Sequence, residues 1–379
     1  MKNVVIAGYC RSPFTPAQKG QLAKVRPDDL VAQIVKALIN DAGVIPEDIE
    51  DLILGCAFPE GEQGMNLARL AVQLAELPVT IAGTTINRFC GSSMQAIHNA
   101  AGAIQMNAGE VFICAGIESM SRVPMGGFNY LPNPSLYKNY PQAYISMGET
   151  AENLALQYHI DRMAQDNFAL ASQKKAAAAR QNGLFAAEII PIKRADGEIV
   201  EHDGCIRADT SLQALSELQP AFLKNGSVTA GSSSPLTDGA AAVLVCSEKY
   251  ADAHGLEKLA RIKAIAVSGC APEIMGIGPV SATYKALKRA GMRLEDIDII
   301  ELNEAFAAQS LAVLKELPVP LEKLNLDGGA IALGHPLGAS GARITGKAAS
   351  LLKRENKQFA LATQCIGGGQ GIATILEAI

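Results

Sequence analysis

Apolar positions along this chain alternate between strand-like and helix-like spacing. VVIAG, near the N-terminus, is a continuous apolar run of strand length. In DDLVAQIVKALINDAG, residues Leu30, Val31, Ile34, Val35, Leu38 and Ile39 fall on one helical stripe, with Asp28 or Asp29 placed to cap it. DLILGC returns to a short buried strand, NLARLAVQLAE to a helix, and TTIN to a strand. Met94, Ile97, Ala101 and Ile104 then mark a helical face, and VFICAG closes the series as a strand. Strands alternating with helices in this way predict an α/β fold of stacked layers.

The pattern occurs twice. AGVIPEDIEDLIL begins at Ala42 and AGMRLEDIDIIEL at Ala290, an offset of 248 residues. The same offset carries Ser92, at the start of the Met94 helix, onto Ser340 in GASGARITGKAASLL. It also carries Val111 of VFICAG onto Phe359 of FALATQC. One ungapped shift that pairs successive helices and strands points to two similar halves. The halves are expected at 1–120 and 251–379, with 121–250 inserted between them. The insertion opens on RVPMGGFNYLPNPSLYKNYPQAYISMG, rich in Pro, Gly, Asn and Tyr and therefore loop-like. Loops held on a rigid scaffold are common places for binding.

Composition narrows the function classes. Hydrophobic residues make up 49% of the chain, yet no apolar run reaches the roughly 18–20 residues of a membrane span. A net charge of −5 without basic clusters argues against nucleic acid as a partner. The opening residues read as a strand rather than a signal peptide. None of the eight cysteines forms a C-x-x-C pair or a disulfide-scaffold spacing. A reducing cytoplasm is the expected setting.

Four segments could carry chemistry. In NRFCGSSMQAIHNAAGAIQ, Cys90 lies between a strand end and a helix start, where a thiolate is favoured. Read alone, it is either a buried space-filler or a nucleophile. GGAIALGHPLGASGARI holds His335 between Gly334 and Pro336, just before a helix, as a fixed base would be. A cysteine with a distant histidine is the pattern of an activated thiol. In TQCIGGGQG, Cys365 follows a strand and opens a glycine run that is either a plain turn or a set of backbone donors for an oxyanion. In ELNEAFAAQ, Asn303 either caps the next helix or holds a water or substrate oxygen. Cys90, His335 and Cys365 lack the paired spacing of zinc ligands, so no metal is expected.

Together these motifs resemble the thiolase family over essentially the whole chain. NRFCGSSMQA and the Tyr- and Asn-rich insertion are most similar to the degradative 3-ketoacyl-CoA thiolases. The resemblance implies duplicated βαβαβ halves in a layered α-β-α-β-α sandwich with an inserted loop domain. It implies that Cys90 carries the acyl group and that His335 takes the thiol proton. Cys365 would exchange a proton with the α-carbon of acetyl-CoA. Asn303, through a water, and His335 would receive the enolate oxygen. The N–H groups of Cys90 and Gly367 would receive the oxyanion of the acyl-enzyme step. Ser234 is implied at the pantetheine, Arg207 near the CoA nucleotide, and Met147, Met275 and Phe306 around the acyl group.

CoA is then a substrate, and no permanently bound cofactor is expected. The resemblance also implies a homodimer or homotetramer, and degradative members can join a hydratase–dehydrogenase partner. One position departs from the pattern: short-chain biosynthetic members carry a histidine before Met-Gly, where this chain has Ser146. That leans toward longer acyl groups. The alternatives are an acetoacetyl-CoA thiolase working in the biosynthetic direction, a related condensing enzyme, and a non-catalytic acyl-CoA-binding protein on the same fold.

Overall fold

The computed structural model describes residues 2–379. Nine strands frame the site: β1 (Val4–Arg11), β2 (Asp51–Gly55), β3 (Ala82–Ile86), β4 (Val111–Ser119), β5 (Thr237–Ser247), β6 (Ala260–Gly269), β7 (Ile299–Leu302), β8 (Phe359–Ile366) and β9 (Gln370–Glu377). The helices used below are α1 (Pro27–Ala42), α2 (Leu67–Leu74), α3 (Ser92–Gln105), α4 (Met147–Gln157), α5 (Arg162–Gln181), α6 (Gly278–Ala290), α7 (Ala307–Glu316) and α8 (Leu337–Arg354).

The strands run in the order β7-β8-β9-β6-β1-β5-β4-β2-β3. Within the first half, β2 and β4 are parallel, and β5 is antiparallel to both β4 and β1. The second half repeats this: β7 and β8 are parallel, and β9 is antiparallel to both β8 and β6. The two sheets meet edge to edge through only two residue pairs, Val5 with Arg261 and Ile6 with Ala260.

This topology corrects one boundary. The expected insertion, 121–250, contains β5, which is buried along its whole length and sits between β1 and β4. The apolar run GAAAVLV is the first half's counterpart of β9, so the excursion from the sheet ends before Thr237.

The repeated dipeptides have a local cause. Gly43 and Gly291 end α1 and α6 with φ of 66° and 67°, a left-handed conformation that glycine adopts without a Cβ penalty. The following PED and LED are matching 3-10 turns leading into β2 and β7. The expected cap on α1 is different. The helix starts at Pro27, whose fixed φ suits a first helical position, and Arg26 occupies the cap without a side-chain bond. Asp28 instead pairs with Arg26 at 2.7 Å.

Three buried clusters give the layering. α1 and α2 pack on one face of the first sheet. α3 and α8 lie between the two sheets. α6 and α7 cover the outer face of the second. Small residues, among them Ala96, Ala100, Ala342 and Ala348, line the middle layer and let its helices approach both sheets closely. Fifteen of the eighteen residues of α8 are buried, so its charged side chains need internal partners. Arg343 meets Glu301 at 2.8 Å, and Lys347 meets Glu188 at 2.9 Å and Asp327 at 2.6 Å.

Candidate active site

Cys90 sits in the tight turn between β3 and α3. Phe89, just before it, has φ of +42°, a conformation that costs a non-glycine residue on the order of 1–3 kcal/mol. The turn is held by local bonds: the Arg88 N–H donates to Ser92 Oγ at 2.9 Å, and Ser92 Oγ donates to the Phe89 carbonyl at 2.6 Å. The second half adds another, because the Gln364 amide donates to the Cys90 carbonyl. The absence of a side chain at Gly91 admits Ile366, which would lie 2.5 Å from a Cβ there.

The Cys90 thiol is buried, and burial pushes its pKa up to about 11. The backbone N–H groups of Gly367 and of Cys90 itself oppose that shift, while the charge of Glu118 adds to it. A thiolate favoured by the helix start was the expectation. Desolvation acts in the opposite direction and favours the neutral thiol.

His335 precedes α8. Its Nδ1 lies 2.5 Å from Ser340 Oγ, which itself donates to the Pro336 carbonyl at 3.1 Å. When the hydroxyl donates to that carbonyl, Nδ1 carries the ring hydrogen and Nε2 presents a lone pair. The His335 N–H donates to Thr237 Oγ1 at 3.0 Å, fixing the backbone as well. Burial, with Arg343 nearby, pushes the imidazole pKa down to about 3.

Asn303 Nδ2 lies 3.4 Å from His335 Nε2. Asn303 is fully buried and its Oδ1 has no partner among the described residues. It does not cap the following helix: α7 starts at Ala307, with Phe306 in the cap position. Cys365 lies inside β8 opposite Gly371, one step deeper than the expected position after the strand. Burial holds its thiol well above the usual value, and the nearby Cys90 raises it further. Gly368 and Gly369, with φ of +78° and +84°, turn the chain back into β9.

The binding candidates fall into two groups. Met147, Met275 and Phe306 share one apolar cluster with Cys365, and Phe222 meets Phe306 edge-on at 5.7 Å between ring centroids. Met147 also lies over the glycine loop, its Sδ 3.4 Å from where a Gly367 Cβ would be. The Ser234 N–H and Oγ both donate to the Ala305 carbonyl at 3.0 Å, which fastens this segment beside Asn303. Arg207 stands apart. It is exposed, its backbone N–H donates to Gln173 at 2.8 Å, and its side chain has no hydrogen bond or ion pair among the described residues. Ser146 is the N-cap of α4, in a capping box with Glu149.

Sequence reasoning missed four residues at this site. Ser340 was visible only as the repeat partner of Ser92. Gln364 and Glu118 are buried polar groups in strands, with no local signature. Glu118 accepts from Ala57 N at 2.8 Å, Gly338 N at 2.9 Å, Phe58 N at 3.2 Å and Gln63 Nε2 at 2.9 Å, joining the two halves beneath the thiol. Phe89 shows its role only through its φ. Among the described residues no group of three His, Cys, Asp or Glu is placed to hold a metal ion, and no helix is long and apolar enough to cross a membrane.

Residues 4–249 match the family described as Thiolase, N-terminal domain, and residues 256–378 match Thiolase, C-terminal domain. The chain belongs to the thiolase family. A thiolase relative named 3-ketoacyl-CoA thiolase, from Bacillus subtilis, is 47% identical over all of both chains. One of the same name from Aliivibrio fischeri is 49% identical over the same span. Two solved thiolase structures superpose over all of this chain. Bacillus anthracis acetyl-CoA acetyltransferase does so with a TM-score of 0.93, 41% identity and 99% of its own chain covered. Human mitochondrial 3-ketoacyl-CoA thiolase in complex with CoA does so with a TM-score of 0.92, 39% identity and 98% covered. The duplicated, layered thiolase fold expected from the sequence is the fold observed.

Proposed function

We propose that this chain is an acyltransferase that cleaves 3-ketoacyl-CoA with CoA to acyl-CoA and acetyl-CoA, reversibly, through an acyl-cysteine. The proposal is supported by the 3.4 Å contact between Asn303 and His335 and by the proximity of two buried thiols, Cys90 in a turn of the first half and Cys365 in strand β8 of the second.

In this reading Cys90 is the nucleophile. Its thiol and the imidazole are both neutral at rest, so proton transfer to His335 Nε2 accompanies attack on the ketone rather than preceding it. The amides of Cys90 and Gly367 receive the tetrahedral oxyanion. Carbon–carbon cleavage releases a thioester enolate, whose oxygen meets His335 and a water held by Asn303 and whose carbon takes a proton from Cys365. Removal of a single oxyanion donor typically costs about 10²–10³-fold in rate, so two such sites are a proportionate apparatus. CoA then takes the acyl group, thioester replacing thioester.

Ser234 is assigned to the pantetheine arm, Arg207 to the nucleotide end of CoA, and Met147, Met275 and Phe306 to the acyl chain. The setting proposed is fatty-acid or related acyl-CoA degradation in the cytoplasm, as a homodimer or homotetramer able to join a hydratase–dehydrogenase partner. The half-exposed edge strand β3 supports self-association, since an edge strand offers unpaired backbone groups. Acetoacetyl-CoA synthesis is the second reading, favoured by the likeness to the Bacillus anthracis enzyme. The test is CoA-dependent loss of 3-ketoacyl-CoA absorbance across chain lengths, with wild type and Cys90→Ala. Turnover retained by the variant would rule out the nucleophile assignment, and activity on acetoacetyl-CoA alone would favour the second reading.

A further inference from the structure

We propose that Glu304 is a positioning residue that holds Asn303 in register with His335. The inference rests on the reading of that pair as the receiver of the enolate oxygen.

Glu304 is buried, and only donors face its carboxylate. Oε2 accepts from Ser172 Oγ at 2.6 Å and from Ile331 N at 3.2 Å, and Oε1 accepts from Asn325 Nδ2 at 2.8 Å. Three donors and no acceptor suit the ionised group. The donors come from three separate pieces of chain. Ser172 lies on α5, in the segment that leaves the sheets. Asn325 is tied to the end of β7: its amide donates to the Leu302 carbonyl and accepts from the Leu302 N–H, each at 2.9 Å. Ile331 belongs to the stretch that leads to His335. Ser172 Oγ also accepts from Gly329 N at 3.1 Å. A Cβ on Gly329 would lie 2.1 Å from Glu304 Cδ, so this backbone rests directly on the carboxylate.

Residue 303 is thereby clamped from both sides: Leu302 before it through Asn325, and Glu304 after it through all three donors. His335 has separate anchors, Ser340 on its ring and Thr237 on its backbone. The turn bearing Cys90 is held by Ser92 on the Phe89 carbonyl, by the Gly91 N–H on the Arg88 carbonyl and by Gln364 on the Cys90 carbonyl. Weakening the clamp moves Asn303 while the thiol and its base stay in place. The consequence is a split between two partial reactions that share one active site.

The test uses Glu304→Gln in the full-length enzyme. The amide presents N–H to at least one of the three donors. Exchange of the α-hydrogens of acetyl-CoA with deuterated water, followed by mass spectrometry, is expected to fall about 10²-fold, the scale of an ångström-sized misplacement. Acetylation of Cys90 by acetyl-CoA, and the acetyl-CoA concentration for half-maximal exchange, are expected to stay within about threefold of wild type. Ser172→Ala removes one donor, supports the clamp if exchange drops about tenfold with acetylation unchanged, and decides the matter if Glu304→Gln does not fold. Equal loss in both steps, or loss in neither, overturns the proposal. Wild type that acetylates Cys90 but exchanges no hydrogen defeats instead the underlying reading of the His335–Asn303 pair.

Discussion

Glu118→Gln is an isosteric change whose cost can be worked from the geometry. Four N–H donors converge on the carboxylate: Ala57 and Gly338 on Oε2, Phe58 and Gln63 on Oε1. A glutamine keeps one oxygen and turns an NH₂ toward the other pair. Gln63 cannot flip to accept it without losing its own bond, because Gln63 Oε1 already receives the Ser119 N–H at 2.6 Å. At least two hydrogen bonds to a charged group are therefore lost, at about 1.5–3 kcal/mol each, partly offset because a charge no longer has to be buried. A net loss of about 2–4 kcal/mol is expected. The same change removes a negative charge that raises the Cys90 pKa, so the thiol should titrate at lower pH than in wild type. The chain contains no tryptophan, so unfolding in urea would be followed by circular dichroism. Iodoacetamide alkylation of Cys90 against pH would report the thiol. An unchanged urea midpoint together with an unchanged or higher Cys90 pKa would refute both the hub and its electrostatic reach.

Other outcomes follow from the same geometry. In the free wild-type enzyme, burial raises the Cys90 pKa, so the alkylation rate should keep rising with pH beyond 9 toward about 11; a plateau below pH 8 would show a stable thiolate–imidazolium pair instead. Ser340→Ala removes the hydroxyl that meets His335 Nδ1, and kcat should fall about 10–100-fold with KM within about threefold; an unaltered kcat would mean the Thr237 bond alone aligns the ring. Ile97→Ala, in the layer between the sheets, should cost about 2–5 kcal/mol in urea unfolding; a cost under about 1 kcal/mol would mean the layer is loosely packed. Cys365→Ser should still acylate Cys90 but lose α-hydrogen exchange; full exchange would assign the carbon acid–base step elsewhere.

Much of this arrangement was legible in the sequence, because it rests on periodicity and on local turn chemistry. The AG dipeptides at 42 and 290 carry their meaning as left-handed helix ends, and the constant offset locates β2 with β7 and β4 with β8. Cys90 and His335 were readable from the helix starts beside them. What stayed hidden depends on contacts distant in sequence. β5 falls inside the expected 121–250 insertion, and only its pairing with β1 and β4 shows it to belong to the sheet. Glu118, Glu304 and Gln364 look like ordinary strand or loop residues, yet each satisfies donors or acceptors more than 20 residues away. The upward push on the Cys90 pKa is hidden for the same reason: a helix start is a local feature, whereas desolvation by both halves is not. Ser146 was read against a histidine in related chains, but its local work is the cap on α4.

The central claim is that Cys90, and not its neighbour Cys365, carries the acyl group. Incubation with acetyl-CoA, rapid acid quench and peptide mass spectrometry tests it directly. One acetyl group on the peptide bearing Cys90, lost on addition of CoA and absent in Cys90→Ala, is expected. An acetyl group on Cys365, or on neither thiol, would contradict it.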